Sequence, residues 1–185
     1  MAFTKIDFAN ASPRGTGDNR LASVPAKARH FNDLVTHLTT GQVVLSGGGA
    51  TVLTAANSGA TCIFDTAAAS TFTLPAPVLG MRFHFISAIT ATGDHEIIAG
   101  SDGHGFLGGV TFTQLTSTAA DQCDSFSAHT GGANDYITMN GSTTGGVAGS
   151  YLTCIAILGT SAAKTWAVHG SLIGTGNTAT PFANS

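Results

Sequence analysis

Two histidines and three carboxylates crowd into residues 94–104, as Asp94-His95-Glu96 and Asp102-Gly103-His104. Imidazole and carboxylate are the ligand types that suit a divalent first-row metal. A metal centre here would draw on Asp94, His95, Asp102 and His104, and would make the chain a jelly-roll metalloenzyme. Local chemistry argues for a simpler role. Asp94 closes the turn Thr92-Gly93-Asp94 and Asp102 precedes Gly103, positions where Asp is common for conformational reasons. His95 and Glu96 fall on opposite faces if they lie on a strand. The expectation is a solvated loop rim, with no metal and no cofactor.

Gly103, Gly105 and Gly108 also satisfy the G-x-G-x-x-G spacing. A dinucleotide site needs a helix to begin there, so that its N-terminus meets the pyrophosphate. Val110-Thr111-Phe112-Thr113 follows instead, and it reads as a strand. No Gly-Lys pair exists to form a P-loop, and no G-x-S-x-G elbow is present. The remaining histidines, at 30, 37, 84, 129 and 169, are scattered and read as polar surface residues. Cys62, Cys123 and Cys154 are widely spaced without a C-x-x-C pair, which suits small apolar groups buried on separate strands.

The elements that would position these residues are mostly strands. Gln42–Leu45, Thr51–Thr54, Thr61–Asp65, Thr71–Leu74, Glu96–Ala99, Val110–Leu115, Gln122–Ala128, Asp135–Met139, Tyr151–Leu158 and Thr165–His169 are β-prone runs between Gly, Asn, Asp and Ser turns. Met81, Phe83 and Phe85 alternate with Arg82 and His84, the period of a half-buried strand. Tyr151–Leu158 alternates little and reads as a central strand buried on both faces. Phe64, Phe72, Phe83, Phe85, Phe112 and Trp166 read as core. No internal repeat stands out. The spacing predicts a mainly β fold, an antiparallel jelly-roll-like sandwich or barrel.

One helix precedes the strands. Pro25 suits a first helical turn, Phe31, Leu34, Val35 and Leu38 form one apolar stripe, and Gly41 stops it. The predicted organisation is an extended basic arm over 1–23, helix and connector over 24–40, a β-domain over 41–170 and a polar tail over 171–185.

Charge is uneven along this plan. Five of the seven basic residues, Lys5, Arg14, Arg20, Lys27 and Arg29, lie in the first 29 positions. Residues 1–33 carry +2 and residues 34–185 carry −5, giving −3 for the whole chain. That balance offers no general attraction for nucleic acid or an anionic membrane. Charged residues are only 9% of the chain, against a norm of about 25%. So few charges suit a chain that hides surface in an oligomer. The opening MAFTKIDFAN has no apolar signal core, and Tyr151–Leu158, the longest apolar stretch, is far short of the ~20 residues that span a bilayer. The expectation is a soluble chain made in the cytoplasm.

The order Thr61-Cys62-Ile63-Phe64-Asp65, then Thr71-Phe72-Thr73-Leu74-Pro75-Ala76-Pro77, then Gly80-Met81-Arg82-Phe83-His84-Phe85, with a late Trp166-Ala167-Val168-His169-Gly170, resembles β-rich virion proteins of tailed bacteriophages. Head decoration (cement) proteins and some fibre modules carry such an order. The resemblance spans residues 61–110 and 150–170. It implies a non-enzymatic assembly protein at the capsid surface of a virion, a homotrimer whose partner is the major capsid protein. The arm and helix would then contact the shell, through Phe3, Lys5, Phe8, Arg14, Arg20, Lys27, Arg29, Phe31, Leu34, Val35 and Leu38. The alternative within the same resemblance is a receptor-binding module of a tail fibre or spike. Tyr136, in Gly132-Ala133-Asn134-Asp135-Tyr136, would be its exposed aromatic for surface glycan.

Overall fold

The structure, a computed structural model, describes residues 41–100, 104–115, 123–128, 134–157 and 164–184. The chain divides into two units, Met1–Gly41 and Gln42–Ser185. The expected basic arm, the helix and all eleven candidate shell-contact residues lie outside the described residues.

The second unit is built almost wholly from strands: β1 (Val43–Leu45), β2 (Ala50–Val52), β3 (Thr61–Phe64), β4 (Ser70–Thr73), β5 (Arg82–Ser87), β6 (His95–Ile98), β7 (His104–Gln114), β8 (Cys123–Ala128), β9 (Tyr136–Met139), β10 (Tyr151–Ile157), β11 (Lys164–Gly174) and β12 (Phe182–Ala183). They form a seven-stranded sheet in the order β1-β3-β5-β10-β11-β7-β8 and a five-stranded sheet in the order β12-β9-β6-β4-β2. The fold is mainly β, as the spacing predicts. Neither sheet closes into a barrel among the described residues.

Strand direction differs from the antiparallel expectation. The first six strands alternate between the sheets, and each of the first four pairs in parallel with the strand two places later: β1 with β3, β3 with β5, β2 with β4, and β4 with β6. The chain therefore winds as a flat coil of three rungs, β1/β2, β3/β4 and β5/β6. Such coils bury a common interior by stacking. Val43 sits beside Thr61 and Thr61 beside His84, steps of 18 and 23 residues. These unequal steps hide the repeat from a search at fixed period. After β6 the pairing changes. β10 and β9 run back against β5 and β6 as a reversed fourth rung. β11 and β12 pair against that rung to form a fifth. β7 then joins β11 in parallel over eleven residues, and β8 closes the large sheet.

One core lies between the sheets. Phe64, Phe72, Phe83, Phe112, Ile97, Ile137, Leu152 and Trp166 are fully buried. Phe72, on the small sheet, meets Phe64 at 5.0 Å and Phe85 at 5.6 Å, both on the large sheet. Trp166 on β11 meets Phe83 on β5 at 5.7 Å. β10 is central, between β5 and β11, but only Leu152, Cys154 and Ala156 are buried. Its other face is half-exposed, a correction to the two-sided burial read from its composition. The stretch read as a polar tail holds the end of β11 and all of β12, with Phe182 in the core.

Candidate functional site

Among the described residues, the carboxylate and histidine cluster does not assemble. Strand alternation sends His95 inward and leaves Asp94 exposed. The His95 ring is fully buried and stacks on Phe64 at 4.5 Å, nearly parallel. Its Nε2 lies 2.8 Å from the Thr66 carbonyl oxygen, the geometry of a donated N–H. Burial holds the imidazole below its ordinary pKa, against the smaller pull of the Thr66 carbonyl and Asp94. His95 is therefore a neutral group that ties the loop after β3 to β6. Glu96, on the opposite face, accepts a hydrogen bond from Thr71 Oγ1 at 3.1 Å. His104 is buried at the start of β7, and Asp102 lies outside the described residues. Among the described residues, no three His, Cys, Asp or Glu side chains come together as a metal-ligand group. Gly105 and Gly108 lie within strand β7, where a dinucleotide motif would need a helix.

The cysteines separate. Cys62 and Cys154 are buried free thiols, as expected, but Cys123 is exposed on β8. Burial pushes the Cys62 thiol up to about 12 and raises that of Cys154 as well. Thiolate, the reactive form, is disfavoured at both.

Tyr136, the candidate aromatic for glycan, sits on strand β9 and is half-buried, paired beside Ala183 and Ile98. The exposed tyrosine is Tyr151, at 44%. It stands on the outer face of the large sheet, where two registers run from edge to edge. On the coil side one register carries Leu45, Ile63 and Ile86 in line and reaches Tyr151. Beyond Tyr151 the same register continues as Ser171, Thr111 and Ser125. The outer face thus changes from apolar to hydroxyl-bearing at Tyr151. The parallel register passes from His84 through Thr153 and His169 to Gly109 and Ser127.

Two surface features stand out, the first at the edges of both sheets and the second on the outer face of the large sheet. At the coil end, β1 and β2 are sheet edges without an outer neighbour among the described residues. Val43 and Leu45 are each 55% exposed and Val52 is 69% exposed. At the other side, an open groove of ≈ 630 Å³ runs over β7, β8, β10 and β11. Tyr151, His169, Thr111, Ser125 and Ser127 line it around Gly109. The Tyr151 ring lies 6.0 Å from that of His84. His84 is itself fixed by a 2.9 Å hydrogen bond between Nδ1 and Thr153 Oγ1.

No protein-family model matches the chain, and no curated protein or solved structure matches it. Among the described residues, no helix is long and apolar enough to cross a membrane. Sequence reasoning missed the groove because its residues come from four strands spread over residues 109–170. Only Gly108-Gly109 and Gly170 hinted at a bare stretch of sheet.

Proposed function

We propose that this chain is a non-enzymatic virion structural protein that decorates a capsid surface as a homo-oligomer and bridges subunits of the major capsid protein. The observation that supports this reading is the coil end of the large sheet. An edge strand bearing Val43 and Leu45 continues into the apolar register of Ile63 and Ile86. Edge strands that stand alone are guarded by Lys, Pro, inward charge or extreme shortness; β1 and β2 carry no Lys, Pro or charge and have only their three-residue length as a guard. An exposed apolar edge beside an apolar register suits contact with another protein chain. The low overall charge of the chain agrees with this.

The basic leader would supply the shell contact in this reading. Deleting residues 1–40 is expected to abolish attachment to shell particles while residues 42–185 stay folded. Full occupancy by the truncated chain would remove the arm and helix from the proposal. Immunogold electron microscopy of phage particles from the source, with antibody to this chain, tests the role itself. Label spread over heads is the expected result. Label on tails alone would transfer the protein to the fibre, and unlabelled particles would refute a virion role.

A further inference from the structure

We propose that the groove on the hydroxyl-bearing side of the large sheet is a binding site for an uncharged saccharide. This goes beyond the assembly reading, which concerns the opposite side of the same face. The groove has a shape that substitution cannot readily fill. A Cβ at Gly109 would stand 2.6 Å from the Phe126 carbonyl oxygen, so the floor stays bare. Gly170 and Gly108 flank that floor at inward-facing positions, beside buried Leu152 and Val168, and do not set its depth. Gly108 has φ +108°, a conformation that side chains rarely adopt, with the Val168 carbonyl against any Cβ. A trough remains between the walls set by Tyr151, His169 and the β8 serines.

The chemistry of the walls selects the ligand. Among the described residues, no Lys, Arg, Asp or Glu lines the groove, so a phosphate, a carboxylate or an ammonium finds no opposite charge among them. Thr111, Ser125, Ser127 and His169 are exposed and offer hydroxyl and imidazole groups that both donate and accept. Thr111 Oγ1 donates to the Gly170 carbonyl at 3.3 Å, which leaves its oxygen to accept. Tyr151 adds an exposed aromatic ring beside the His84 ring, and His84 is anchored to Thr153. A pyranose ring presents the complement: an apolar face of C–H groups to lie on an aromatic ring, and a rim of hydroxyls to exchange hydrogen bonds. Preorganised aromatic walls reduce the ordering cost of such contacts. A peptide strand could add only at β8, the outer edge of this sheet; the groove itself lies over the sheet face, where β10, β11 and β7 are paired on both sides.

The test uses the purified full chain with neutral tetrasaccharides of glucose, mannose, galactose and N-acetylglucosamine. A sialylated oligosaccharide and inorganic phosphate serve as charged comparators. Saturable binding of at least one neutral probe is expected, by calorimetry and by saturation-transfer NMR. Tyr151→Ala is expected to weaken it about tenfold or more, the size of effect that a lost aromatic stacking partner has elsewhere. Tyr151→Phe should stay within about threefold, because the ring is kept. Ser127→Trp, at an exposed edge position, should block the groove without entering the core, and it decides the matter if Tyr151→Ala does not fold. No binding of any neutral probe at millimolar concentration overturns the proposal. So does tighter binding of either charged comparator, or affinity left intact by Tyr151→Ala or Ser127→Trp.

Discussion

The two halves of the large sheet share one core but are assembled in opposite ways. Through β6 every pairing is parallel and joins strands one rung apart, so each contact closes a loop of about twenty residues. From β7 onward the pairings are mixed: β7–β8 and β10–β11 are local antiparallel pairs, whereas His104 lies beside Lys164 and Arg82 beside Ile155. The first half is a wound coil, and the second is a return path laid against its last rung. Their outer surfaces differ too, with aliphatic side chains over the coil and hydroxyls and glycines over the return path. A single sheet can therefore offer two kinds of surface, because consecutive strands come from distant parts of the chain.

The largest test of this division is at its weld. Trp166 of the return path packs on Phe83 of the coil, and both are fully buried. Trp166→Ala is expected to cost about 3–5 kcal/mol by urea unfolding. Both halves should still unfold in one transition, and two separated transitions would show that the coil stands alone. Gly108→Ala strikes only the return path. The positive φ and the Val168 carbonyl against the new Cβ predict a loss of about 1–3 kcal/mol in the same assay.

Acid should strike the coil first. The His95 imidazole is held below its ordinary pKa, so the folded state favours the neutral ring. The stability this gives is present above the unfolded value of about 6.5 and is lost as pH falls below it. Thermal unfolding between neutral and mildly acidic pH should show this loss, and His95→Gln should flatten it. Asp65 acts in the same half at lower pH. Its carboxylate accepts from the Gly47 N–H at 2.8 Å and from the Ser46 hydroxyl at 3.0 Å, which holds it below the usual carboxylate range. Its contribution is present above the unfolded value and disappears as pH falls through the folded one. Asp65→Asn should therefore remove the lower part of the acid loss only.

The smallest effects are on the surface. Leu45→Lys should change stability by no more than about 0.5 kcal/mol and yet shift sedimentation toward smaller species. An unchanged distribution would detach the apolar register from assembly. Thiol labelling separates the regions without any mutation: one of the three cysteines, Cys123, should react in the native chain, and Cys62 and Cys154 only after unfolding.

The strands themselves were legible in the sequence. Alternation at Arg82–Ser87 and frequent Gly-rich turns mark a β chain, and the aromatic core residues follow from the same period. The winding was not legible. Parallel and antiparallel pairs have the same side-chain period, and rungs of unequal length leave no fixed spacing to detect. β10 was misread because Ile155 and Ile157 are apolar at half-exposed outer positions. β12 hides in a polar stretch because its two residues need only Phe182 to anchor them. The metal-like cluster failed for a reason the sequence did contain, since alternation parts Asp94 from His95. Choosing Tyr136 over Tyr151 followed from placing it on a loop, whereas it lies on β9 beside β6.

The coil's middle rung, β3/β4, has a neighbour of its own direction on each side. Nothing in the direction of its backbone pairing records whether it is the second rung of three or the second of four. Duplicating it would lengthen both sheets by one strand and leave the outer edge and the reversed rung as they are. The fourth rung, running backward, is where that growth stops. Length in this protein is thus a quantity that duplication can change in steps of one turn, with the reversed strands acting as a fixed terminus.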